Sequence, residues 1–127
     1  MQTLMADYSH QQIADLVAYI RTFEPGSRSS TLGGDPQKGK ALYQSCIASH
    51  AVDGQGIPAL NSPNLLGQSD VYVVNQLLSF KRGVRGSGSG DKEGKMMQLA
   101  AKVIPDEQAM KDLAAYLGTL SEKPLKQ

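Results

Sequence analysis

Tryptophan is absent from this chain, phenylalanine occurs twice, and the only cysteine is Cys46. With 40% apolar residues in 127, the chain can support one small core, yet it has few bulky rings to fill it. A bound apolar group would supply the missing volume. One cysteine cannot form an internal disulfide, so cysteine counting leaves the compartment open. A zinc site needs about four ligands, and one Cys with two His at no paired spacing falls short of that. The formal net charge is +1, from 13 basic and 12 acidic side chains, which gives no reason to propose nucleic acid or an anionic membrane as partner. No apolar run reaches the roughly 18 residues of a bilayer span. The first residues also lack the basic and then apolar order of a secretion signal.

What is present is helical punctuation. Ser9 is a good N-cap for a helix over about 10–23, in which Ile13, Leu16, Val17 and Ile20 recur at three- and four-residue steps. Pro25-Gly26 stops it. Residues 24–34 read as a flexible linker by composition. Asp35 then caps a helix with Pro36 at its first position, where the missing N–H costs nothing. Residues 51–68 are rich in Gly, Pro and Asn without a sustained period and read as an irregular loop. Ser69 starts a helix through about Arg82, with Val73, Leu77 and Phe80 inward and Gly83 as its stop. The five glycines of 83–95 predict a mobile loop. A final helix from about Pro105 to Leu120 carries Met110, Leu113, Ala114 and Leu117 as its buried stripe. No strand signal competes, so the fold class is all-α.

The chemistry concentrates in Cys46-Ile47-Ala48-Ser49-His50, which differs at one position from the Cys-x-x-Cys-His run that attaches a c-type haem. A lone Cys with a His four residues on is weak by itself. A Cys/His nucleophilic pair would need an orienting carboxylate. Asp53 is the only one nearby, and Asp53-Gly54-Gln55-Gly56 reads more simply as a turn. Further residues carry more weight: Gly39 and Tyr43 before the cysteine, Ser62-Pro63-Asn64-Leu65-Leu66-Gly67 after it, then Met97 ahead of a helix containing Asp112-Leu113-Ala114-Ala115-Tyr116-Leu117. In this order, over residues 34 to 121, the chain resembles a class I cytochrome c.

The resemblance implies a small class I cytochrome c-like fold, three main helices around a haem, preceded here by an extra N-terminal helix. It implies electron transfer and no bond-breaking enzyme activity, with haem c as cofactor and redox proteins as partners. By the family's pattern His50 and Met97 are the iron ligands, Pro63 offers its carbonyl to His50, and Leu65 lines the pocket together with Leu60, Leu77 and Leu99. Met96, next to Met97, stays open as the sixth ligand. Tyr43 and Tyr116 are expected where the first and last helices of the domain cross. Ser49 departs from the pattern, because a hydroxyl does not add to a vinyl group as a thiolate does. At most one thioether forms, through Cys46. The alternative is a degenerate domain that has lost its haem and serves as a structural or interaction module. The basic cluster of Lys81, Arg82 and Arg85 with Lys92 and Lys95 has two readings: a helix end favoured by the dipole, or contacts to haem propionates and an acidic redox partner.

An internal repeat sets the domain organisation. Met1-Gln2, Gln11, Asp15-Leu16-Val17-Ala18-Tyr19 and Thr22 match Met97-Gln98, Gln108, Asp112-Leu113-Ala114-Ala115-Tyr116 and Thr119, with one extra residue in the second copy. Residues 1–23 therefore read as the closing helix of a preceding cytochrome domain, 24–34 as linker, 35–121 as the cytochrome c domain and 122–127 as a tail. The chain then reads as the C-terminal part of a tandem two-haem cytochrome. Family haem attachment is periplasmic, which implies that location. The apolar face at Ile13, Leu16, Val17 and Ile20, without the rest of its domain, implies a homodimer through the N-terminal helix.

Overall fold

The computed structural model describes residues 7–23 and 30–121. Among the described residues six α-helices follow in order: α1 (His10–Ile20), α2 (Pro36–Tyr43), α3 (Ile47–His50), α4 (Asp70–Lys81), α5 (Lys92–Lys102) and α6 (Glu107–Ser121). A 3-10 turn at Pro58–Leu60 interrupts the loop between α3 and α4. Among the described residues the only β-type pairing is one bridge between Ile57 and Ser62. The expected caps form. Ser9 accepts from Gln12 N while the Gln12 side chain accepts from Ser9 N, Asp35 accepts from Gln37 N and Lys38 N, and Ser69 accepts from Tyr72 N.

The core gathers on α6, where Met110, Leu113, Ala114 and Leu117 are buried beside Tyr43, Val74 and Ile104. Burying each large side chain of that stripe is worth roughly 1.5–3 kcal/mol. Helices α2 and α6 cross at Gly39, where a Cβ would lie 1.9 Å from the Asp112 carbonyl oxygen. Only a hydrogen side chain permits so close an approach. One turn on, the rings of Tyr43 and Tyr116 meet at 5.3 Å between centroids, tilted by 53°.

Two loop expectations are corrected. Residues 24–29 lie outside the described residues, but the second half of the expected flexible linker is docked. Ser30 Oγ, the Thr31 amide and hydroxyl, and Leu32 N all donate to the Asp70 carboxylate, Leu32 packs on the core, and Asp35 N donates to Asp112 Oδ1 at 2.8 Å. The expected mobile loop over 83–95 ends early, because Asp91 accepts from Gly94 N at 2.7 Å and caps α5. Met97 accordingly lies on a helix. Its glycine content hid the cap: Gly94 has no room for a Cβ beside the Asp91 carboxylate.

The two copies of the repeat make the same bonds. Gln11 Nε2 donates to Asp15 Oδ1 at 2.8 Å as Gln108 Nε2 does to Asp112 Oδ1 at 3.0 Å. Thr22 and Thr119 each donate to the carbonyl three residues back at 2.7 Å. Their surroundings differ. No residue of α1 is buried, and Ile13, Leu16, Val17 and Ile20 are 36–59% exposed.

Candidate functional site

The site is built around one short helix and the loop that folds back over it. Helix α3 is a single turn in which His50 N donates to Cys46 O at 2.9 Å, so the thiol and the imidazole share one turn of backbone. His50 is buried, and its Nδ1 lies 3.1 Å from Pro63 O. A carbonyl only accepts, so Nδ1 holds a proton, and in the neutral ring that leaves the lone pair on Nε2. Among the described residues no buried side-chain nitrogen or oxygen lacks a partner. Nε2, which has none, therefore faces space that protein atoms do not fill.

The rest of the loop fixes that geometry. Gly56 N donates to His50 O at 3.0 Å. Gly56 adopts φ +81°, and its Cα side rests on the backbone of Ser62 and Pro63, where a Cβ would come within 2.4 Å of Ser62 O. Tyr43 Oη donates to Ala51 O at 2.8 Å. Burial chiefly, with smaller contributions from Cys46, Tyr116 and Asp53, pushes the Tyr43 phenol up to about 12, so it remains a neutral donor. Ser62 Oγ donates to Ser49 O and accepts from Ile57 N at 3.1 Å. Leu65 N donates to Gly54 O at 2.8 Å, which lays the half-buried Leu65 side chain against the core.

Cys46 is half-buried, and burial pushes its thiol up, offset in part by the Ser45 hydroxyl 3.8 Å away. A protonated thiol whose neighbouring imidazole spends Nδ1 on a carbonyl is poorly set for nucleophilic attack. Among the described residues no three His, Cys, Asp or Glu side chains cluster to hold a metal ion.

The structure thus brings Cys46, His50 and Pro63 together. Met97 comes from α5, and a contact of 3.4 Å between Asn61 Nδ2 and Glu93 Oε1 ties that helix to the loop. Of the two adjacent methionines, Met96 is 66% exposed, while Met97 is half-buried. Leu77 packs on the core, whereas Leu60 and Leu99 are exposed, at 52% and 67%. The basic cluster divides: Lys81 Nζ donates to the carbonyls of Ile104 and Pro105, and the Arg85 guanidinium stacks 4.7 Å over the Phe80 ring. Those two are structural. The hydrogen bonds of the Ser62 and Tyr43 hydroxyls and the close approach at Gly56 are not readable from the sequence, although all three residues stand in the runs named there.

The donor set fits a haem iron. An imidazole with its tautomer fixed, a half-buried thioether and a thiol one turn before the imidazole match the ligand and attachment chemistry of a c-type haem.

A model of the Cytochrome c family matches residues 36–121. The chain is 33% identical to cytochrome c4 of Pseudomonas aeruginosa over 129 aligned residues, covering 91% of this chain and 58% of that one. It is 34% identical to cytochrome c-554(548) of Halomonas halodenitrificans, covering 65% of this chain and 93% of that one. Against the cytochrome c4 structure of Acidithiobacillus ferrooxidans the TM-score is 0.65 at 27% identity, covering 94% of this chain and 69% of the other. This chain spans little more than half the length of the curated cytochromes c4 from Pseudomonas aeruginosa and Azotobacter vinelandii that it matches, 58% and 55%.

Proposed function

The chain belongs to the cytochrome c family, and we propose that it carries single electrons through a haem c held by Cys46, His50 and Met97. Haem c is the cofactor of that family and supplies the reversible one-electron change at iron. The observation that carries the reading is the 3.1 Å contact from His50 Nδ1 to Pro63 O, which fixes the ring plane and leaves Nε2 for iron.

Each residue has a separate task. Cys46, the one thiol of the chain, would hold the haem through a single thioether, its S–H bond and one vinyl π bond giving way to one S–C and one C–H bond, with the second vinyl left untouched. Met97 offers a soft thioether, which together with burial favours the less charged ferrous state and raises the potential. Leu65 and Leu77, both packed on the core, are the apolar side chains this reading assigns to the pocket wall. The domain works as an electron carrier between redox proteins and breaks no substrate bond.

The same reading assigns residues 35–121 to the cytochrome domain and residues 1–23 to the closing helix of a preceding one, supported by the matching Gln–Asp and Thr–Tyr bonds of α1 and α6. A periplasmic location follows from the chemistry of haem attachment. Among the described residues no helix is long and apolar enough to cross a membrane.

Absorbance tests the proposal. The purified chain, made with a haem-attachment system, should show a sharp Soret band and a reduced α-band shifted to longer wavelength than that of a doubly linked haem. Acid–acetone should leave the haem on the polypeptide. A folded, colourless chain overturns the function; haem that passes into the solvent overturns the Cys46 linkage alone.

A further inference from the structure

Two consecutive residues of the motif are held by two consecutive residues of the loop. Pro63 O lies 3.1 Å from His50 Nδ1, and Ser62 Oγ donates to Ser49 O while accepting from Ile57 N. Only a hydroxyl can give and take at the same atom in this way. Ser62 N also donates to Ile57 O at 3.3 Å, so the turn over residues 57–62 is closed on itself before it reaches the motif. Ser62 therefore fixes both the position of the backbone at residue 49 and the register in which the next carbonyl, that of Pro63, meets the histidine.

Residue 49 is where the attachment run would carry its second thiol. Ser49 provides no covalent tether there, so between the Cys46 thioether and the His50 ring the backbone at residue 49 would have no bond of its own to the cofactor. We propose that Ser62 is a positioning residue for His50, its hydroxyl restraining residue 49 where a second thioether would otherwise do so. This rests on the haem reading above. It says more than that reading does, because it predicts that the importance of residue 62 depends on the identity of residue 49.

The test uses the full haem-loaded chain in four forms: native, Ser62→Ala, Ser49→Cys, and the two together, with Ser62→Thr as the variant that keeps the hydroxyl. The readouts are the exchange rate of the His50 Nδ1 proton in the reduced protein, by NMR, and the reduction potential. Losing a hydrogen bond of this kind is worth about a tenfold change in such an equilibrium. Ser62→Ala should therefore raise the exchange rate about tenfold and shift the potential, and Ser62→Thr should restore both. In the Ser49→Cys background the same Ser62→Ala change should move exchange by less than about twofold.

An equal effect in both backgrounds, or none in the native one, overturns the proposal. If Ser62→Ala alone does not fold, a double variant that folds with haem attached supports the coupling, and a double variant that also fails overturns it. A native chain without a Soret band defeats the haem reading and this proposal with it, and absorbance alone distinguishes that failure from the others.

Discussion

Gly39 lies directly beneath the carbonyl of Asp112, so closely that a Cβ would sit 1.9 Å from that oxygen and 2.8 Å from Tyr116 Cβ. The first and last helices of the domain cross backbone to backbone here, and the Tyr43–Tyr116 contact depends on that spacing. Gly39→Ala gains helix propensity but must push the helices apart. The net effect expected is a loss of about 3 kcal/mol, at the upper end of overpacking costs, read as a fall in the guanidinium midpoint with little change in slope. An unchanged midpoint would mean that the crossing adjusts freely.

Acid should loosen the strap over residues 30–35. Burial by itself raises the Asp70 carboxyl, but the amides of Thr31, Leu32 and Val71 and the Thr31 hydroxyl outweigh it and hold the group below its ordinary 3.8. The Asp35 amide does the same for Asp112 against its burial, helped by Gln108 and Lys38. Both folded-state values are depressed, so their stabilisation is complete above the ordinary carboxylate value and is lost as pH falls through the folded values. Stability should be flat near neutrality and fall below about pH 4. Replacing Asp70 with Asn should lower stability at neutral pH and flatten the acid limb, as followed by denaturant titration at several pH values. A steep acid limb retained in an Asp70→Asn, Asp112→Asn double variant would assign acid sensitivity to other groups.

The adjacent methionines should separate cleanly. Met97→Ala should abolish the sulfur-to-iron charge-transfer band of the oxidised form and lower the potential, because nitrogen or water ligands favour ferric iron more than a thioether does. Met96→Ala, at a 66% exposed side chain, should change neither. The opposite outcome would shift the ligand assignment by one residue.

Much of this architecture is written locally. Ser9, Asp35 and Ser69 cap the helices they precede, and the stripe Met110, Leu113, Ala114 and Leu117 is buried as its spacing implies. Pro63 and His50 could be paired through the family pattern, and the bond between them is there. What the linear chain conceals is set by distant partners. Residues 30–34 look like linker because nothing nearby announces that Asp70, about 40 residues on, will collect their donors. Helix α5 was hidden by glycines that in fact serve its cap. Ser62 stands in the run that carries the resemblance, but its role is not legible there, since a serine beside a proline is ordinary until Ser49 O is found against its hydroxyl.

Helix α1 presents the sharpest contrast between like sequences. Its Asp15 and Tyr19 correspond to Asp112 and Tyr116 of α6, yet Asp112 takes the Asp35 amide at 2.8 Å and Tyr116 meets Tyr43 of another helix, whereas the Tyr19 ring meets Phe23 of its own segment at 5.0 Å. Covering Ile13, Leu16, Val17 and Ile20 would be worth on the order of several kcal/mol, the driving force we expect for association through this helix. Light scattering should find the full chain dimeric at high concentration and a chain beginning at Ser30 monomeric. The cut belongs at Ser30, because Ser30, Thr31 and Leu32 all bond to Asp70, and removing them would mix a folding defect with the loss of the helix. A shortened chain as dimeric as the full one would clear α1 of any role. A full chain monomeric at every concentration would mean that its apolar face is worth less than the cost of bringing two copies together.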